Sequence, residues 1–125
     1  MARILIAEDE EPLRGLCARA LETGGHDVKT ACDGADALDM LTRETGGFDL
    51  LLTDIRMPIM DGIALALSAA RDYPSLTILL MTGYADQRER AHGLDAIIHD
   101  VINKPFSVAV LRAAVSEALA VQGRN

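Results

Sequence analysis

Phe48-Asp-Leu-Leu-Leu-Thr-Asp54 decides how this chain folds. The run is almost unbroken in apolar residues up to its last position, where it meets a carboxylate. Such a run suits a central strand buried on both faces of a parallel sheet, not a half-buried strand with alternating faces. Outward from it lie further apolar strand-like runs at Ala2–Ala7, Leu76–Met81 and Ile97–Asn103, with a short one at Val28–Cys32. Helix-period segments alternate with them from end to end, the pattern of an α/β fold with a parallel sheet.

The first helix is expected near Pro12, a favoured first helical position, with Leu13, Leu16, Cys17, Ala20 and Leu21 on its inner face and Gly24-Gly25 as its stop. Asp33 can cap a second helix that carries Leu38 and Leu41 inward and ends at Gly46-Gly47. A third helix places Ile63, Ala66, Leu67 and Ala70 on one face, and Pro74 follows it. Ala85–Gly93 is mostly charged and reads as a helix held weakly to the sheet, able to move. Val108, Leu111, Val115, Ala118 and Leu119 form a last amphipathic helix. The expected organisation is one domain over 1–121, a short polar tail at 122–125, and no linker, repeat or output domain.

Composition narrows the function classes. A chain of 125 residues, half of them hydrophobic, suits one domain with one core. Its net charge of −7 comes from 19 acidic and 12 basic residues. Lys29 and Lys104 are the only lysines, and no basic stripe appears, which argues against nucleic acid as a partner. Cys17 and Cys32 fit no metal or redox spacing and read as buried, reduced thiols of a cytosolic protein. No signal-peptide layout or membrane-length apolar run is present, so the expected location is cytoplasmic, without a membrane partner.

Five residues stand where the strand-like runs end: Glu8, Asp9, Asp54, Thr82 and Lys104. In an open parallel sheet the carboxyl ends of the strands line one crevice, where ligands bind. Paired carboxylates are hard oxygen ligands suited to Mg²⁺. Asp54 can join them and can also attack phosphorus, since carboxylates form aspartyl phosphates. Thr82 offers a hydroxyl and Lys104 a compact cation to phosphoryl oxygens. Each residue alone would read as ordinary surface or strand-end chemistry; the signal is their recurrence at successive strand ends. His26, His92 and His99 fall at no such end, although His99, at the start of the fifth strand, is placed to line an output face.

The run Asp54-Ile-Arg-Met-Pro-Ile-Met-Asp-Gly62 resembles the phosphoacceptor loop of response-regulator receiver domains. Glu8-Asp9, Met81-Thr82-Gly83-Tyr84 and Lys104-Pro105-Phe106 fall where that family has its acidic pair, switch hydroxyl and lysine-proline. The resemblance covers the whole chain. It implies a flavodoxin-like (βα)5 doubly wound sheet of order 2-1-3-4-5 with five helices. It implies Mg²⁺ held by the Asp9 and Asp54 side chains and the Arg56 main-chain carbonyl, with Glu8 acting through water. Asp54 would accept a phosphoryl group from a histidine kinase or a histidine phosphotransfer protein, Lys104 would pair with the phosphoryl oxygens, and the Lys104–Pro105 bond would be cis. Thr82 would carry the switch. Val101 stands where many receivers have an aromatic switch residue, and Tyr84 is a candidate to take part instead. The acidic pair is Glu-Asp, where Asp-Asp is commoner.

The Met1–Glu10, Met81–Asp86 and Asp100–Phe106 runs are similar to a cell-cycle group of stand-alone receivers. That likeness implies an adaptor for the protease ClpXP, active when unphosphorylated and switched off by a phosphorelay. On this reading the chain is not an enzyme; it assists only its own aspartyl phosphorylation and dephosphorylation. The alternatives are a phosphorelay intermediate or phosphate sink and, from another class, a metal-dependent aspartyl phosphatase. The latter would need a second carboxylate two residues after Asp54, where Arg56 stands.

Overall fold

A computed structural model describes residues 1–45, 47–83 and 89–122 of the chain. Strands β1 (Arg3–Ala7), β2 (Asp27–Ala31), β3 (Leu50–Asp54), β4 (Thr77–Thr82) and β5 (Asp100–Asn103) form one sheet in the order β2-β1-β3-β4-β5. Every pairing is parallel. Helices α1 (Glu11–Thr23), α2 (Gly34–Arg43) and α3 (Gly62–Asp72) follow the first three strands, and a C-terminal helix (Val108–Gln122) follows β5. This is the doubly wound order that the resemblance to receiver domains implied. Because β2 and β3 lie on opposite sides of β1, the order reverses there, and such a switch point leaves a crevice at the carboxyl ends.

Among the described residues, α2 and α3 pack on one sheet face, and α1 and the C-terminal helix on the other. On one face Leu5, Ala7, Leu51, Ile78 and Leu80 meet Ala37 and Leu41 of α2 and Leu65, Ala66 and Ala69 of α3. On the other Ile4, Ile6, Leu50, Leu52, Leu79 and Met81 meet Cys17, Ala20 and Leu21 of α1 and Leu111, Val115 and Ala118 of the C-terminal helix. β3 is buried at all five positions, its polar Thr53 and Asp54 included, as a central strand between two covered faces. The edge strands β2 and β5 are part-exposed.

Several finer expectations are corrected. Leu16 is exposed: at about 100° per residue it falls on the margin of the stripe centred on Cys17, Ala20 and Leu21. Leu67 is also exposed, and the inward face of α3 is Gly62, Leu65, Ala66 and Ala69. That helix is apolar nearly all round, so its periodicity does not select a face. Val108, on the first turn of the C-terminal helix, is exposed too. Cys17 is buried, but Cys32 is exposed just beyond the edge strand β2. The fifth strand begins at Asp100, not Ile97, because the amides of Ile97 and Ile98 both donate to the Leu94 carbonyl and so close a turn. Of the helix expected over Ala85–Gly93, residues 85–88 lie outside the described residues. Residues 89–91 are helical and run into a 3-10 turn, His92–Leu94.

The loop after β3 is set by two close approaches. A Cβ at Gly62 would overlap the Asp54 carbonyl oxygen, and one at Gly34 would overlap that of Met60. Within this loop Ile59 has φ of 70° and is 84% exposed. A β-branched residue in left-handed backbone is strained, whereas Asn tolerates that conformation. Ile59→Asn is therefore expected to raise the unfolding free energy in urea by about 1 kcal/mol. An unchanged or lower value would show that the Ile59 backbone is not strained in solution.

Candidate functional site

The strand registers bring the predicted residues to one level. Ala7 pairs with Thr53, Asp54 with Met81, and Thr82 with Asn103. One step further along, the ladder continues through loop amides: Glu8 N–H donates to Ala31 O at 3.1 Å, Ile55 N–H to Met81 O at 3.0 Å, and Lys104 N–H to Thr82 O at 2.8 Å. The backbones carrying Glu8, Asp54, Thr82 and Lys104 are thus extensions of the sheet itself. The Lys104–Pro105 peptide bond is cis.

Side chains then converge from positions far apart in sequence. Lys104 Nζ lies 2.8 Å from Asp54 Oδ2 and 3.2 Å from Glu8 Oε1. The second oxygen of Glu8 accepts the Glu10 amide at 3.0 Å. Carboxylate oxygens of Glu8, Asp9 and Asp54 all lie within 4.8 Å of one another, the one such acidic group among the described residues. Glu8, Asp54 and Thr82 are buried; Asp9 is exposed. A pocket of about 600 Å³ opens over Asp9, Asp54 and Lys104, walled also by Glu10, Arg56, Met57, Pro58 and Gly83.

The charges are unbalanced: three carboxylates face one ammonium. Burial, and then the neighbouring Asp54 charge, push the Glu8 carboxyl up to about 7 against the opposing pull of the Glu10 amide. Lys104 is pulled down by burial, but its hydrogen bond to Asp54 and the charges of both carboxylates outweigh this and hold it above its usual value. An excess of hard oxygen donors beside one ammonium fits a divalent ion such as Mg²⁺, and Arg56 stands at the pocket wall.

Not every sequence candidate joins this cluster. His26 Nδ1 accepts the Ala2 amide beside the first strand's amino end, and His99 Nε2 lies 3.5 Å from Glu117 on the C-terminal helix. His92 opens the 3-10 turn. Val101 is half-buried on β5, packed against the cluster under α2 and α3. Tyr84 lies outside the described residues. One residue that sequence reasoning missed is Arg14, whose Nη1 donates to Glu8 O at 2.8 Å and to Asp9 O at 3.5 Å. Its spacing, one helical turn beyond the acidic pair, was the available signal.

The 2-1-3-4-5 parallel sheet is that of the doubly wound α/β class, with the acidic cluster at its carboxyl edge. The chain belongs to the response regulator receiver domain family, whose model matches residues 4–116. It is 47% identical to the response regulator receiver protein CpdR of Brucella abortus, over 94% of this chain and 93% of that protein. The response regulator MprA of Mycobacterium avium is 34% identical over 94% of this chain, which spans 50% of MprA. Among solved structures, TrrA of Thermotoga maritima in complex with Mg(2+)-BeF matches with a TM-score of 0.83 and 28% identity, covering 94% of this chain and 99% of that one. Among the described residues, no helix is long and apolar enough to cross a membrane.

The Glu8 shift has a consequence for stability. An acid whose folded-state pKa is raised stabilises the fold fully below its unfolded value and loses that contribution as pH rises through the folded value. For Glu8 the window runs from about 4.5 to about 7. With EDTA present, the urea midpoint is expected to fall across this window, and Glu8→Gln, neutral throughout, to flatten the decline. Equal slopes in parent and variant would contradict the assignment to Glu8.

Proposed function

We propose that Asp54 is the phosphoacceptor of this response regulator and that its phosphorylation switches a protein-binding surface. The observation that carries the reading is the Asp54–Lys104 contact of 2.8 Å at the pocket floor, with Glu8 and Asp9 alongside. A carboxylate oxygen of Asp54 attacks the phosphorus of a phosphohistidine on a histidine kinase or phosphotransfer protein. The O–P bond forms as the P–N bond breaks, and the electron pair leaves with the donor's imidazole. Lys104 and Thr82 bind the phosphoryl oxygens. Mg²⁺, when bound, reduces the repulsion between the anionic nucleophile and the anionic phosphoryl group. Asp9, Asp54 and the Arg56 carbonyl would hold it; Glu8, whose oxygens already serve Lys104 and the Glu10 amide, would act through water. The Mg(2+)-BeF complex of TrrA supports a Mg²⁺ and phosphoryl site here by likeness. The chain turns over no separate substrate and assists only its own phosphorylation and dephosphorylation.

The output reading is that of a cytoplasmic adaptor for ClpXP in cell-cycle control, active without phosphate. Its support is the likeness to CpdR over nearly the whole length of both chains. A phosphorelay intermediate is the second reading. The exposed Leu16 on α1 favours it, as an apolar side chain that a histidine-bearing partner would cover.

Asp54→Ala is expected to keep the fold and lose all phosphoryl adduct by intact mass after treatment with phosphoramidate and Mg²⁺; an adduct on the variant refutes the assignment. In lysate capture, the protease unfoldase is expected on the Asp54→Ala bait and not on the parent held with beryllofluoride and Mg²⁺. Recovery of phosphotransfer proteins alone would favour the relay. Lys104→Ala is expected to abolish the beryllofluoride-induced shifts of β4 and β5 resonances, and shifts like the parent's would remove Lys104 as the transmitter.

A further inference from the structure

We propose that Arg14 is a positioning residue that holds Asp9 in place to receive a divalent cation. The inference rests on the Mg²⁺ reading above and assigns a role to a residue outside its ligand set. Of the three clustered carboxylates, Glu8 and Asp54 are buried and held by packing and by Lys104, whereas Asp9 is exposed. Where the Asp9 carboxylate sits therefore depends on its backbone. The two carbonyls that flank Asp9, those of Glu8 and Asp9 itself, both accept from the same Arg14 nitrogen, at 2.8 and 3.5 Å. The Glu8 amide is fixed by the Ala31 carbonyl at 3.1 Å and the Glu10 amide by the Glu8 side chain at 3.0 Å. Arg14 thereby completes the fixing of the Glu8–Glu10 turn.

The helix supplies the direction. Side chains on a helix lean toward its amino end, so a long residue in the second turn of α1 reaches back over the loop that precedes it. Its other nitrogen lies 3.9 Å from the largely exposed Glu11 carboxylate, a weak contact that leaves the guanidinium committed to the carbonyls. The packing of Cys17, Ala20 and Leu21 anchors α1 to the sheet, and Arg14 passes that registration on to the acidic pair.

Electrostatics and positioning predict opposite signs. A cation beside a cation site opposes Mg²⁺, so if Arg14 acted through its charge alone, its removal would tighten binding. If it acts by positioning, removal weakens binding, and the loss of a supporting partner typically costs about tenfold in metal affinity. The experiment is calorimetric titration of the full chain with MgCl₂, with no phosphodonor, for the parent, Arg14→Met and Arg14→Lys. The expected result is about tenfold weaker binding for Arg14→Met, partial recovery for Arg14→Lys, and displaced Asp9 and Glu10 amide resonances in EDTA. Unchanged or tighter binding by Arg14→Met overturns the proposal. Should that variant not fold, Arg14→Lys with an affinity equal to the parent's overturns it as well. No Mg²⁺ binding by the parent would instead overturn the underlying metal assignment.

Discussion

The Lys104 ammonium, shared between Asp54 and Glu8, is the interaction on which this structure turns. Two carboxylates are buried there and a third stands within 4.8 Å of both. Like charges held so close resist simultaneous ionisation, and burial removes the water that would otherwise screen them. Lys104 offsets part of that repulsion, and the rise of Glu8 to about 7 takes up more of it. What remains is a site with surplus negative charge and hard oxygen donors, which is the physical reason it suits a metal ion and then a phosphoryl group.

The rest of the fold serves that convergence. The ladder runs one residue past β1, β3 and β5, so the site residues stand on backbone held by the sheet. Both sheet faces are sealed by helices, which leaves the carboxyl edge as the place where chemistry can be exposed. At the opposite edge Arg3 binds Asp27, Glu44 and the Gly47 carbonyl and lies 4.7 Å from the Phe48 ring centroid, joining the ends of α2 and the starts of β2 and β3. One edge of the sheet is thus closed by a cation among many partners, while the other is left charged and open.

The loop after Asp54 connects this site to the segment that follows β4. Asp61 caps α3 through the Ala64 amide at 2.9 Å and also takes Arg90 Nη2 at 2.9 Å. Both the exposed pair and the cap depend on the close seating of Gly62 against the Asp54 carbonyl, since any side chain at that position would push the helix away. The start of α3 thus meets both the Asp54 carbonyl, through Gly62, and Arg90, through Asp61, although an exposed ion pair of this kind contributes little to stability by itself.

The sequence by itself determined the sheet and the list of site residues. A nearly unbroken apolar run such as Leu50–Thr53 suits a strand between two covered faces, and strand-like runs alternating with helix-period segments point to parallel order. Reading the residue after each run then names Glu8, Asp54, Thr82 and Lys104 without coordinates. Periodicity could not place Leu16 or Leu67, because helices rich in alanine and leucine present more than one apolar stripe. Nor could it start β5, where a turn competes for the amides of Ile97 and Ile98. The pairing of Lys104 with Glu8, 96 residues away, the burial that raises the Glu8 pKa, and the grip of Arg14 on the Asp9 backbone were decided only by the tertiary structure. Those are properties of distance and solvent exclusion, and neither exists until the strands are aligned.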